Sequence, residues 1–443
     1  MLDRSRAAWA LVVIASVVIL VTPALWNGFP LLQYDTGGYL APWFEGKLEI
    51  NRSVPYGLLL VAGQYPDFWP VLIVQAALTV WVLAVTLRVH KLGGPLYLLA
   101  AVAVLSLATT LPWLTAILLT DIFSGLGVLA LYLVLLRDDA LSRGERAGLL
   151  ALAAVSAATH SATLLVLAGL VLVATLVWLI DRARIPYPRL LRAMSALVVS
   201  VLLVVAANGA VTGRVGWAPG GIALSFGRML EDGIVKRYLD DRCPDATLRL
   251  CPDKDRLPKD ADDFFWGGGV FDAFGRFEGM HEEMRRVAIE ATLDYPWLQL
   301  KSIVRETALQ LAMVETGAGV VNWIWNTYDT IKAHVPAAVP AMAAARQQRI
   351  GLSFDAINAF QVPLAWLAMA LTPLIVFFAW RRPGFADIGD LGVAVMLGIA
   401  GNAAVFGILA TAHNRYGARL VWLAGFVVLV ALARRFPLKI TRR

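Results

Sequence analysis

Long apolar runs recur along the chain, separated by short polar segments and by one long polar segment. A helix that crosses a hydrocarbon core of about 30 Å needs roughly 17 to 25 residues. Helices are expected because backbone groups in lipid must be paired within each segment, and the alternation typical of an outer-membrane barrel is absent. The pattern predicts ten membrane-spanning helices, at approximately 7–26, 68–87, 95–111, 115–136, 147–159, 161–180, 193–211, 361–380, 388–411 and 417–433.

The composition supports the same conclusion. Of the 443 residues, 59% are hydrophobic and 16% are charged, whereas about 25% are charged in soluble proteins. The predicted fold class is an all-α polytopic membrane protein with one inserted extracytoplasmic domain of helices and irregular segments. Its predicted parts are an N-terminal bundle (1–211) that contains the first outer loop (27–67), a periplasmic domain (212–360) and C-terminal helices (361–443). We expect the first helix to be retained as an uncleaved span.

The net charge of +7 reflects membrane topology. Cytoplasmic loops of membrane proteins are enriched in Lys and Arg, and an N-terminus in the cytoplasm places most basic residues inside. The long segment 212–360 carries more acidic than basic residues. The chain is therefore predicted to lie in a bacterial inner membrane with both termini cytoplasmic, and no nucleic-acid partner is expected. The predicted inner segments with basic residues are 1–6, 88–94, 137–146, 181–192, 381–387 and 434–443.

The only two cysteines, Cys243 and Cys251, both lie in the predicted periplasmic domain. Disulfides form outside the cytoplasm, and each cysteine is followed by a proline. The spacing favours a disulfide-closed loop, and two unrelated free thiols are the alternative.

The periplasmic domain divides by composition. Residues 213–279 are rich in Gly, Asp, Pro and aromatics, which predicts a loop-rich surface with little regular structure. Residues 277–315 are predicted to be helical, with an interruption at Pro296. After Pro296 an apolar stripe predicts an interfacial helix or, equally, a helix packed on the rest of the domain. The stripe consists of Trp297, Leu300, Val304, Ala308 and Leu311, with Lys301, Arg305 and Glu306 predicted on the other face. Further on, Trp323, Trp325 and Tyr328 predict an aromatic belt.

The remaining ionisable residues near the bilayer converge on the outer ends of the predicted spans, where ionisable groups are usually kept for function or pairing. Each also has a structural explanation: Asp35 can form a turn, Asp121 can cap a helix, His160 can be a hydrogen-bonded structural histidine, and Arg415 and Arg419 can be snorkelling cations. Mid-membrane positions hold neutral residues such as Gln75, Asn208 and Asn402. An ion-coupled transporter would be expected to keep carboxylates there.

Five short motifs resemble the GT-C class of polytopic glycosyltransferases, which includes protein O-mannosyltransferases and enzymes that add sugars to lipid A. The motifs cover the transmembrane skeleton, about two thirds of the chain. They are Asp35 followed by Tyr39, Arg52-x-x-Pro55-Tyr56-Gly57, Thr-Asp121-Ile-Phe, the turn His160-Ser161 and His413-Asn-Arg415-Tyr.

The resemblance implies a role for each motif residue. Asp35 would be the catalytic base, with Asp121 as the second catalytic candidate. Arg52, His413 and Arg415 would bind the donor phosphate, and Tyr39, Tyr56 and His160 would contact substrate. Asp35 is followed by Thr36 where many members carry a second acidic residue, which weakens a metal site. No Gly-rich nucleotide loop is present, so no cofactor is firmly implied and a divalent metal remains an alternative.

The predicted function is transfer of a sugar from a polyprenyl-phosphate donor to an extracytoplasmic lipid, glycan or protein acceptor. One carboxylate can deprotonate the acceptor hydroxyl, and guanidinium groups can stabilise the leaving phosphate. The alternatives are a lipid-linked sugar translocase or other transporter, and a glycan polymerase or ligase. A transporter built from repeats would show two related halves, and the sequence shows no internal repeat.

Overall fold

A computed structural model describes residues 2–217 and 220–437 of the chain. This part of the protein is 76% helical and contains no β-strand. The basic residues predicted for the cytoplasmic tail at 438–443, and the side chain of Arg4, lie outside the described residues.

The N-terminal half consists of helices α1 to α11. They are α1 (Leu2–Asn27), α2 (Thr36–Leu40), α3 (Pro42–Glu45), α4 (Val54–Ala62), α5 (Trp69–Val89), α6 (Pro95–Ala108), α7 (Leu111–Thr115), α8 (Asp121–Leu136), α9 (Arg143–Thr159), α10 (Ser161–Ile180) and α11 (Tyr187–Thr212).

The long polar segment folds into short helices and two longer ones, and three long apolar helices complete the chain. They are α12 (Gly221–Glu231), α13 (Ile234–Arg242), α14 (Ala261–Trp266), α15 (Val270–Ala273), α16 (Arg276–Asp294), α17 (Pro296–Ala312), α18 (Trp325–His334), α19 (Val339–Ala344), α20 (Arg346–Ile350), α21 (Asp355–Arg381), α22 (Ala386–Leu409) and α23 (Asn414–Arg435).

Seven helices of the described part are long and apolar enough to cross a membrane: α1, α5, α10, α11, α21, α22 and α23. Two other predicted spans correspond to the shorter apolar helices α6 and α8. The predicted span 147–159 forms the C-terminal part of α9, whose first turn is charged and closed by a capping box at Ser142. A multi-pass membrane protein is therefore supported, whereas the number ten remains a prediction.

The predicted span 115–136 is wrong at its outer end, because its helix begins only at Asp121. The preceding residues leave the helical path and run beside the first outer loop. The Leu31 amide donates to the Ala116 carbonyl at 2.9 Å, and the Leu118 amide donates to the Leu31 carbonyl at 3.0 Å. These bonds satisfy backbone groups that a continuous helix would have paired internally.

The polar clusters of the bundle lie at its two opposite ends. At one end, which we call the inner end, Asp387 contacts His90 and Arg434, and Asp390 contacts Arg137 and Arg184. Residues of the long segment lie at the other end, which we call the outer end. The fold thus gathers predicted cytoplasmic residues at one end, while the compartment that this end faces remains a prediction.

In the segment predicted to have little regular structure, 213–279, slightly more than half of the described residues instead lie in helices. Helices α12 to α16 enclose a hydrophobic core separate from that of the bundle, built around Phe226, Phe264, Phe271 and Met284. The prediction was wrong because it relied on the content of Gly and Asp. The short apolar repeats of the segment, such as Val235 and Leu239 of α13, indicate helices with one buried side.

Cys243 and Cys251 form a disulfide, with their Cα atoms 5.6 Å apart. Closing this short loop restrains the unfolded chain, so we expect reduction to lower the free energy of unfolding by roughly 2 to 3 kcal/mol. Thiol alkylation under denaturing conditions, with and without reductant, tests the bond. Equal labelling of the two samples would contradict it, and the Cys243→Ser/Cys251→Ser variant measures background labelling.

Candidate functional site

The first outer loop reaches the site through a network of hydrogen bonds around Thr36. The Thr36 hydroxyl accepts from the Gln33 amide at 3.1 Å and donates to the Leu118 carbonyl at 3.2 Å. Helix α2 then packs against α18 so closely that a Cβ on Gly37 would lie 2.7 Å from the Cα of Thr327. Glycine is required at this contact, and the packing fixes the position of Asp35 at the start of α2.

Four charged side chains meet at the outer end and form what we call the acid–arginine cluster: Asp35, Arg52, Asp121 and Arg415. Asp35 forms ion pairs with both Arg52 and Arg415. The Nε of Arg415 also donates to Asp121 Oδ2 at 2.8 Å. A single guanidinium at the start of α23 therefore joins the first outer loop to the first turn of α8.

These contacts account for both carboxylates. The Asp35 side chain makes no capping hydrogen bond at the start of α2, so a turn-forming role does not explain it. Asp121 lies in the first turn of α8, where an acidic residue suits the helix dipole, and its side chain binds Arg415. The sequence prediction that these residues lie close together therefore agrees with the geometry, and their catalytic roles remain predictions.

The electrostatic surroundings keep Asp35 ionised. Burial raises the pKa of this carboxyl group, but the charges of Arg52 and Arg415 and the hydrogen bond from Arg415 outweigh burial and lower the pKa to about 2. A carboxylate with so low a pKa is a weak proton acceptor. Asp35 can serve as a base only after one of its arginine partners is drawn away.

Part of the cluster has no hydrogen-bond partner within the described protein. Arg415 Nη2 and Asp121 Oδ1 are both buried and unpaired. Both residues line a cavity of about 40 Å³ whose wall also includes Glu315, Trp113 and Phe354. Buried polar atoms are normally satisfied, so the site beside this cavity has one unused donor and one unused acceptor.

Tyr39 and Tyr56 lie beneath the cluster and are fully buried. The Tyr39 hydroxyl is 3.4 Å from Thr120 Oγ1, and the Tyr56 hydroxyl donates to Gln75 Oε1 at 3.0 Å. Their rings pack edge to face at 5.3 Å. Both hydroxyls thus have partners inside the protein, and the Arg52 guanidinium lies over the Tyr39 ring, 5.9 Å from its centroid.

The two predicted site histidines have different surroundings. His160 caps α10, because its Nδ1 accepts from the Ala162 amide at 3.1 Å, and it also interacts electrostatically with Arg419, Arg415 and Asp35. The His413 imidazole instead lies 2.9 Å from Thr411 Oγ1. The structure therefore brings His160 to the cluster and gives the His413 ring no described contact with it.

Arg419, which the sequence also allows to be a snorkelling cation, lies inside the protein instead. It is fully buried, and its Nε and Nη2 both donate to Asn402 Oδ1, at 2.9 and 2.6 Å. Its Nη1 is buried without a partner in the described protein. The signal was the spacing of four residues from Arg415, which places both guanidinium groups on one face of α23.

The loop before Arg415 is held by α17 and the residue stretch that follows it. Gln310 Nε2 donates to the His413 carbonyl at 2.9 Å, and the His413 amide donates to Gln310 Oε1 at 3.0 Å. Glu315 and Asn414 exchange two further hydrogen bonds, at 3.1 and 2.9 Å. Sequence patterns could not reveal these contacts because they join positions far apart in the chain.

Removing the Gln310 amide should loosen this loop. In Gln310→Leu, the His413 amide loses its partner and the His413 carbonyl keeps only the Tyr416 amide; a backbone group left unpaired costs about 1 to 3 kcal/mol when it remains buried. Thermal unfolding in detergent measures the loss, and Arg143→Ala, at an exposed position, is the control. An unchanged unfolding temperature would show that the two bonds do not hold the loop.

No group of three or more His, Cys, Asp or Glu side chains in the described part of the chain is arranged to hold a metal ion. Asp35 and Asp121 are both engaged by Arg415, a cation that already occupies the position between them.

No protein-family model, curated protein or solved structure matches this chain. Family membership in the GT-C class therefore remains a prediction, and the function is inferred from the residues of the site.

Proposed function

We propose that this protein is a membrane glycosyltransferase that moves a sugar from a polyprenyl-phosphate donor to an acceptor outside the cytoplasm. The observation that carries the proposal is the Arg415 guanidinium, which is held between two carboxylates and keeps one buried nitrogen unpaired. An unpaired guanidinium nitrogen suits a phosphate oxygen, because charge-assisted hydrogen bonds to phosphate are strong.

An apolar groove next to the cluster supports a lipid-linked donor. The groove has a volume of about 540 Å³ and lies between α6, α21 and α23. It extends from Thr110 and Gln361 at the outer end to Leu87 and Phe436 at the inner end. Thr110 also lines the small cavity at Arg415. A polyprenyl chain in the groove would therefore bring its phosphate to the cluster.

The chemistry assigns Asp35 and Arg415 complementary roles. The acceptor oxygen attacks the anomeric carbon, the bond between that carbon and the phosphate oxygen breaks, and polyprenyl phosphate leaves. Asp35 takes the proton of the acceptor hydroxyl, and Arg415 stabilises the charge on the departing phosphate. The donor phosphate competes with Asp35 for the two arginine side chains. When the guanidinium groups move to the phosphate, the pKa of Asp35 rises towards the range of a working base.

A translocase would need a polar path for the head group along the bundle. The polar groups Thr109, Thr110 and Gln361 lie at the outer end of the groove, and its remaining lining is apolar apart from Tyr97. A groove of this composition suits a lipid chain and gives a sugar phosphate no polar contacts along most of its length. This favours transfer at the outer end over movement across the membrane.

The proposal places the protein in a bacterial inner membrane with both termini in the cytoplasm, so that the cluster faces the periplasm. The positive-inside distribution of the sequence supports this orientation.

Analysis of lipid-linked sugars in a deletion strain tests the proposal. We expect the polyprenyl-phosphate sugar to accumulate and one envelope glycan, lipid or protein to lack a single sugar. The wild-type gene should restore the acceptor, whereas a gene encoding Arg415→Ala should not, and the exposed inner-end variant Arg143→Ala is the matched control. Unchanged donor and acceptor pools in the deletion strain would contradict the proposal.

A further inference from the structure

Helix α17 has its polar residues inside and its apolar residues outside. Gln299, Ser302, Glu306 and Gln310 are all at most 6% exposed. On the opposite side Trp297 is 74%, Leu300 49% and Val304 61% exposed. The predicted apolar stripe is correct, but Glu306 is buried and Lys301 shares the exposed side. A helix in water would show the reverse arrangement.

The apolar side of α17 also rules out the alternative that this helix packs on the rest of the periplasmic domain through its stripe. Its buried polar side makes those contacts instead: Arg228 of α12 donates to Gln299 Oε1 at 2.7 Å and contacts Ser302. The apolar side remains largely exposed within the described part of the chain.

The position of α17 along the bundle is fixed by two membrane-type helices. Trp366 Nε1 of α21 donates to the Ala312 carbonyl at 3.0 Å. A Cβ on Gly407 of α22 would lie 2.3 Å from Thr307 Oγ1, so the two helices touch there. Trp366 lies about 11 residues inside α21, about 16 Å from the start of that helix at 1.5 Å per residue. The C-terminal end of α17 therefore lies against the outer part of α21 and the outer end of α22.

Exposed apolar side chains of α21 flank this end of α17. Trp366 is 49% exposed, Ala370 one turn further along is also exposed, and α21 is one of the seven helices suited to cross a membrane. The apolar side of α17 thus continues the exposed apolar surface of α21, and that surface contacts lipid if α21 spans the bilayer. Lys301 lies near the start of α17, where its long stem can carry the ammonium group to the head groups.

We propose that α17 is embedded in the outer leaflet of the bilayer, with lipid acyl chains covering its apolar side. Its polar side binds the protein and its apolar side binds lipid. This inference does not depend on the glycosyltransferase proposal. Its structural consequence is that lipid contact fixes the helix whose Gln310 holds the backbone of His413, two residues before Arg415.

Single-cysteine probes test the location of α17. The two native cysteines are bonded to each other, so an introduced cysteine provides a unique thiol for a fluorescent label. The labelled protein is reconstituted in phosphatidylcholine and phosphatidylglycerol vesicles, with and without lipids that carry a nitroxide on the acyl chain. The probe sites are Val304→Cys and Leu311→Cys. Ala370→Cys of α21, at an exposed position, is the lipid reference, and Glu282→Cys of α16, which is 77% exposed, is the aqueous reference.

We expect the labels at residues 304 and 311 to lose as much fluorescence to the acyl-chain nitroxide as the label at residue 370. The label at residue 282 should be unaffected. Quenching at residues 304 and 311 equal to that at residue 282 would overturn the proposal.

The unmodified protein provides a second measurement that does not depend on any substitution. Vesicles containing a phospholipid with a photoactivatable group in its acyl chain are irradiated, and lipid adducts are mapped by mass spectrometry. Adducts within residues 296–312 at a yield similar to those within 355–381 would support the embedded helix. Adducts within 355–381 and none within 296–312 would overturn it.

Discussion

Replacing Arg415 by alanine is expected to reduce sugar transfer by about 10²- to 10³-fold, the usual effect of removing one donor to a developing oxyanion. The same change leaves Asp121, whose side chain is 3% exposed, without its ion-pair partner. Removing one partner of a buried ion pair costs about 3 to 5 kcal/mol of stability. We therefore expect both a loss of activity and a clear fall in unfolding temperature.

Arg415→Lys separates the two effects. Lysine retains the charge but lacks the planar fork that contacts Asp35 and Asp121 together, so stability should recover more than activity. Transfer is measured at limiting donor, and unfolding is followed by light scattering in detergent. Activity of Arg415→Ala equal to that of wild type, at equal folded protein, would remove Arg415 from the mechanism. The exposed variant Arg143→Ala should change neither measurement.

The convergence of the site residues could be predicted because it follows from topology. Asp35, Asp121 and Arg415 each lie where an apolar run ends, and the number of spans between them places all three at one end of the bundle. Their pairing could not be predicted. One guanidinium contacts two carboxylates that are far apart in sequence, and only the packing of α2, α8 and α23 sets those distances.

The fold was predictable to a similar extent. Apolar periodicity located the long helices. It also placed residues 116–118 in the fourth span, although the backbone of Ala116 and Leu118 pairs with Leu31 instead. The burial of Arg419 depends on Asn402, a residue of another helix. Arg419 and Gln310 are determined by tertiary contacts, and a pattern read along one helix contains no information about its neighbours.

Asp35→Asn is expected to reduce turnover by about 10²- to 10⁴-fold, because asparagine cannot accept a proton in the transition state. Folding should largely survive. Arg415 keeps its contact with Asp121, and the side chain of residue 35 makes no capping hydrogen bond that asparagine would need to replace. The change also removes the negative charge that competes with the donor phosphate for Arg415, so donor affinity should rise or stay constant while kcat falls.

The pH dependence of stability tests whether the Asp35 carboxylate is ionised and paired with the arginines in the folded protein. A carboxyl group with a lowered pKa stabilises the folded protein above its unfolded pKa of about 3.9, and this contribution is lost as the pH falls through the folded pKa. Since the folded pKa of Asp35 is about 2, the difference in stability between wild type and Asp35→Asn should be constant from about pH 5 to 8 and should shrink below about pH 4.

Donor binding is expected to raise the pKa of Asp35 and so move the acid limb of the pH–rate profile to higher pH. The pH profile of kcat/KM reports the free enzyme and that of kcat reports the substrate complex. Because the donor phosphate draws the arginines away from Asp35, the acid limb of kcat should lie at higher pH than the acid limb of kcat/KM. Glu45→Gln, in the same outer loop and 43% exposed, is the matched control. If folded Asp35→Asn retains near-parental transfer, Asp35 is not the base, and Asp121 becomes the carboxylate to test.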